Sequence, residues 1–191
     1  MRRRTFDTLV SVGGLLIAFV LVIAGGLLVW SSTFINGQVH DQLSAQKIFF
    51  PPAGSAAIKG PEFAAMQQYA GQQLTTGDQA QVYANHFIAV HLNEVAGGKT
   101  YSEVSAAAMA DPTNTTLQGQ VNTLFKGTTL RGMLLNAYAF GRMGAIAGIA
   151  AIVCFSVAVL MFVLSIFGLM HARRTAVDVE LGSRVPAPVE V

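Results

Sequence analysis

Residues 9–30 read LVSVGGLLIAFVLVIAGGLLVW and residues 144–170 read GAIAGIAAIVCFSVAVLMFVLSIFGLM, and neither stretch contains Lys, Arg, Asp or Glu. A helix rises about 1.5 Å per residue, so roughly 20 apolar residues cross the ~30 Å hydrocarbon core of a bilayer. Both runs are long enough, which predicts transmembrane helices over Leu9–Trp30 and Gly144–Met170. The 113 residues between them, 31–143, are mostly polar. The expected fold is all-α, with two transmembrane helices flanking a small helical extracytoplasmic domain.

Charge placement sets the expected orientation. Arg2, Arg3 and Arg4 precede the first run and Arg173 and Arg174 follow the second, whereas the six Lys and Arg of 31–143 are balanced by six Asp and Glu. Basic residues beside spans are retained in the cytoplasm, so a cytoplasmic lead (1–8) and a cytoplasmic tail (171–191) are expected at the plasma membrane. The middle segment then lies outside. Arg142 opposes this arrangement, but its long side chain can snorkel to the outer interface as an anchor. Trp30 is the matching anchor at the end of the first span, where an indole suits the headgroup layer.

A cleaved secretory signal is the alternative for the first run. At 22 residues the run exceeds the usual apolar core of such signals, and no Ala-x-Ala site follows it. Retention as an anchor is expected. Cys154, the single cysteine, lies in the second run, so the middle segment can form no disulfide and no Cys-x-x-Cys-His haem attachment. A net charge of +2, from 12 basic and 10 acidic residues, gives no basic patch of the kind that binds nucleic acid.

Within the middle segment, Phe34 to Gly60 shows no sustained helical period, and Phe49-Phe50-Pro51-Pro52 predicts an extended or turning stretch whose rings pack on the domain, the membrane interface or a partner. Pro61 can open a helix running through Phe63, Met66, Tyr69 and Leu74, which Gly77 ends or separates from the next. Val82, Ile88, Leu92 and Val95 give a helical spacing over Asp78–Val95, terminated by Gly97-Gly98. Ser102 is the expected cap of the next helix, with Ser105 three places on. Asp111-Pro112 breaks the chain, Leu117, Val121, Leu124 and Phe125 mark a short amphipathic helix, and Gly127 interrupts it. Thr128 or Thr129 would cap a last segment, Leu130–Phe140, that leads into the second span.

Gly144 and Gly148 stand four apart in an apolar helix, with Ala147 and Ala151 extending the small-residue face, a pattern that admits a second helix backbone. The expected role is packing against the first span, another subunit or a second copy. His86, His91 and Glu94 are the other polar group of interest. A five-residue gap rotates His86 away from His91, unlike the four-residue spacing of zinc-binding His-Glu-x-x-His, and a site completed by His40 or Asp41 is the less favoured reading. No cofactor, metal or catalytic set is expected: there is no Gly-x-Ser-x-Gly elbow, phosphate loop or paired carboxylates. Asn114-Thr115-Thr116 fits a glycosylation sequon by chance. The charge-free spans argue against a transport path, which needs polar groups at membrane depth.

Phe49-Phe50-Pro51-Pro52, Tyr83 to Leu92, Gly98 to Ser105 and Thr129 to Phe140 together resemble a family of small actinobacterial two-span membrane proteins, whose members often carry the product name aromatic ring-opening dioxygenase. That resemblance covers most of the chain and implies a location more than a chemistry. The arrangement is also similar to small accessory subunits of actinobacterial respiratory supercomplexes, which implies packing against integral membrane subunits. The expected function is therefore a noncatalytic accessory or scaffolding protein in contact with lipid and other membrane subunits or itself. The alternative is an envelope ligand sensor or enzyme with a site between the ectodomain helices.

Overall fold

A computed structural model describes residues 3–174. Most of the expected tail 171–191, from position 175 on, lies outside the described residues, as do the first two residues of the lead. The architecture is all-α. Helix α1 spans Arg3–Ala45, α2 Gly77–Val82, α3 Ala89–Ala96, α4 Tyr101–Ala110 and α5 Thr115–Arg174. Two 3-10 segments, Ala56–Ile58 and Pro61–Tyr69, lie between α1 and α2, and a π-helical turn, Tyr83–Ile88, joins α2 to α3. Strand pairing among the described residues is confined to one antiparallel bridge, Phe49 with Gln73.

Helices α1 and α5 are long and apolar enough to cross a membrane. Cα packing divides the chain into two units, 1–30 with 147–191, and 31–146. In the first unit the outward residues are large and apolar, Leu16, Phe19, Leu27, Ile149 and Ile152 among them. The buried positions are small: Ser11, Ala18, Ala151, Ala158, Ser165 and Ala172. Such a surface suits a bilayer, where large side chains meet lipid and small ones let helices approach.

The second unit holds a hydrophobic core built on Val39, Leu43, Phe50, Ile58, Met66, Leu74 and Leu134. Here the chain departs from several sequence expectations. Helix α1 continues past Trp30 to Ala45 because Val39 and Leu43, four residues apart, are both buried in this core. Lys47 then takes a left-handed conformation (φ 53°) and turns the chain. Phe50 and Phe49 separate: Phe50 is buried against Tyr69 and Tyr83, at ring-centroid distances of 5.3 Å each, whereas Phe49 is 56% exposed.

Gly77 starts a helix instead of ending one. Thr76 is the N-cap, and Gln79 completes a capping box by accepting from the Thr76 backbone N–H. In the same way Thr100, rather than Ser102, caps α4, with Glu103 as its reciprocal partner. Gly97 ends α3 in the left-handed conformation (φ 57°), and α4 stops at Ala110 before Asp111-Pro112, as the sequence suggests. Gly127 does not interrupt α5. The helix is continuous from Thr115, and Thr129, instead of capping a new one, donates back to the Phe125 carbonyl at 2.8 Å.

Candidate functional site

The small residues of α5 are the first candidate, and they divide between the two units. In the membrane-span unit Ala151 is buried and Ala147 and Gly148 are half-buried. Ala151, Ala158, Ser165 and Ala172 stand seven apart, and Ser11 and Ala18 repeat the same interval on α1. A seven-residue period keeps one seam of each helix facing the other in a left-handed crossing. The approach is close: a side chain on Gly14 would overlap the Ser165 hydroxyl, one on Gly168 would overlap that of Ser11, and one on Gly25 would meet the Phe155 ring at 2.9 Å. At one end of this unit Asp7 Oδ2 is 3.9 Å from His171 Nε2.

In the helical domain Gly144 is buried, with the Asn36 amide 2.9 Å from where a Cβ would stand. The Ser32 hydroxyl donates to the Gly144 carbonyl oxygen at 2.8 Å. Two further glycines, which the sequence marks only as helix breaks, make close helix contacts. A methyl group on Gly77 would lie 3.1 Å from the Ala137 carbonyl oxygen and from Tyr138 Cα, and one on Gly127 would overlap the Leu92 side chain. Of the two expected interface anchors, Trp30 is 67% exposed and Arg142 is also exposed.

The histidines do not converge. His86 Nδ1 donates to the Glu62 carbonyl at 2.9 Å, and His91 Nδ1 donates to the Phe87 carbonyl at 2.7 Å. His91 also packs on the Phe87 and Phe63 rings, with centroids 4.4 and 5.9 Å away. Glu94, His40 and Asp41 are exposed. Among the described residues no group of three or more His, Cys, Asp or Glu is placed to hold a metal ion. Asn114 of the sequon serves as a cap, its side-chain oxygen accepting from the Leu117 N–H at 3.1 Å.

Two polar features escaped the sequence reading. Arg131 is a cation with a buried Nε, and its Nη2 donates to Asn85 Oδ1 in the π-helical turn at 2.9 Å. Nearby on that turn, half-buried Tyr83 has its phenol pushed above its usual range by desolvation. No protein-family model matches the chain, nor does any curated protein or solved structure.

Proposed function

We propose that the protein is a noncatalytic accessory or scaffolding component of the plasma membrane, with both termini in the cytoplasm and residues 31–143 outside. The observation that carries this reading is the unburied apolar surface of its two long helices. In each, only 17% of the most apolar 18-residue stretch is buried within the chain. That surface needs lipid or other membrane helices to cover it. The small-residue seam is matched between α1 and α5 within the chain, which leaves the large apolar faces for an integral membrane partner. A respiratory complex is the specific assembly suggested by the sequence resemblance.

Purification in mild detergent after cross-linking in native membranes, followed by mass spectrometry, tests the subunit reading. Stoichiometric recovery of an integral membrane partner supports it, and recovery of a lone chain refutes it. Orientation is read separately by cysteine labelling of intact cells in a Cys154→Ser background. A membrane-impermeant reagent should label Gln72→Cys and spare Arg4→Cys; the opposite pattern reverses the topology.

A further inference from the structure

Every charged side chain in the described part of the membrane-span unit stands at one end of it. Arg3 and Arg4 lie at the start of α1 and Arg173 and Arg174 at the end of α5, while residues 9–30 and 147–170 carry no Lys, Arg, Asp or Glu. The two pairs are about 170 residues apart in the chain, and the antiparallel packing of the helices brings them together. Asp7 Oδ2 is 3.9 Å from His171 Nε2, and a side chain on Gly168 would overlap the Ser11 hydroxyl. Arg3 and Arg4 are four and three residues from Asp7, and Arg173 and Arg174 two and three residues from His171. At about 1.5 Å per residue, all four backbones lie within ~6 Å of that contact along the helix axes.

The chain does little to neutralise this end. All four arginines are exposed, and among the described residues none is paired with an acidic side chain. Asp7 is the one acidic residue in the described part of the unit, and it faces inward: its side chain is 21% exposed, and Oδ2 is buried without a hydrogen-bond partner. Arg173 and Arg174 suit the C-terminus of α5, where the helix dipole favours cations. Arg3 and Arg4 occupy the first turn of α1, where the dipole is already positive and no acidic residue offsets it. An anion at this end is therefore attracted by four guanidinium groups and by the start of α1 together. The neighbouring side chains select the anion. Arg3 shares a helix face with exposed Phe6 and Val10, and Arg174 shares one with exposed Met170 and Phe167. A lipid whose hydrocarbon covers either apolar stripe brings its phosphate level with a guanidinium fork, which binds phosphate through paired N–H donors.

We infer that the four arginines form a collar that gathers anionic phospholipids around this end of the helix pair, with phosphates on the guanidinium groups and acyl chains on the stripes below them. The inference rests on the membrane reading of α1 and α5, but on neither the subunit role nor the direction of insertion. Retention of basic residues in the cytoplasm fixes which side the collar faces; the collar adds a preference among the lipids found there. Exposed charges attract over a Debye length of ~8 Å at 0.15 M salt and only ~3 Å at 1 M, so the preference weakens as salt rises.

Fluorescence quenching of the full-length protein in vesicles provides the test. Trp30 is the single tryptophan, so Phe6→Trp with Trp30→Phe leaves one indole a turn away from Arg3, and Val10→Trp on the same face is a second reporter. Vesicles of phosphatidylcholine and phosphatidylglycerol are formed by detergent removal, with one lipid or the other brominated near the top of its acyl chain. Both leaflets then have one composition, and insertion direction has no bearing. Brominated phosphatidylglycerol should quench as if enriched about threefold over its bulk fraction, and 1 M salt should remove most of that enrichment. Changing Arg3, Arg4, Arg173 and Arg174 together to Gln should abolish it, changing them to Lys should retain it, and changing either pair alone to Gln should remove part of it. Soluble glycerol phosphate in excess should leave the quenching unchanged. Equal quenching by the two lipids, an enrichment that survives the Gln changes or is carried by one pair alone, or relief by soluble glycerol phosphate would overturn the inference.

Discussion

The Ser32 hydroxyl donates a 2.8 Å hydrogen bond to the carbonyl oxygen of Gly144, tying α1 to α5 across 112 residues of chain. The bond exists because Gly144 carries no side chain: a Cβ there would press on the Asn36 amide at 2.9 Å. Removing the hydroxyl and removing the space are therefore separable. Ser32→Ala should cost about 0.5–1.5 kcal/mol, the ordinary net value of one such bond. Gly144→Leu should cost more, about 1–3 kcal/mol, by forcing the helices apart. Thermal unfolding in one detergent would check both, and equal stability of Gly144→Leu and the parent would remove the packing role of this glycine.

Gly77 presents a harder limit, because its neighbours are backbone atoms that cannot rotate away. The Ala137 carbonyl oxygen and Tyr138 Cα lie 3.1 Å from a hypothetical methyl group, with Gly141 Cα at 3.4 Å. Alanine is the better helix former, so propensity alone favours Gly77→Ala by up to about 1 kcal/mol. Overpacking against backbone costs about 1–3 kcal/mol and should win. A lowered melting temperature is expected, whereas Gly119→Ala, which meets open space within α5, should raise it slightly.

Acid should loosen the start of α4. The Thr100 backbone N–H and then its hydroxyl bond to the Glu103 carboxylate, and with Lys99 adding a favourable charge they hold its pKa below the usual range. A carboxyl that is more acidic folded than unfolded stabilises the fold fully above its unfolded pKa, and that contribution disappears as pH falls through the lowered folded value. Amide exchange over 101–104 should therefore quicken on acidification through this window. Glu103→Gln should abolish that pH dependence while keeping the helix. An unchanged acid response in this variant would assign it to another group.

The two membrane-spanning candidates and several helix ends were legible in the linear chain, since these depend on local composition. An uncharged run of sufficient length is a property of consecutive residues, and Gly97 or Asp111-Pro112 stops a helix through its own backbone. The seven-residue interval of Ala151, Ala158, Ser165 and Ala172 was equally present, although the shorter Gly144 to Gly148 spacing hides it. What tertiary structure alone decided is where local preference yields to packing. Glycine in a helix costs only about 1 kcal/mol, so α5 runs through Gly127, whose lack of a side chain leaves room for the partly buried Leu92. Burial of Val39 and Leu43 extends α1 beyond its span. The groove between residues 34–46 and 133–140 has no local signature, because its walls are about 100 residues apart and meet only when the two helices align.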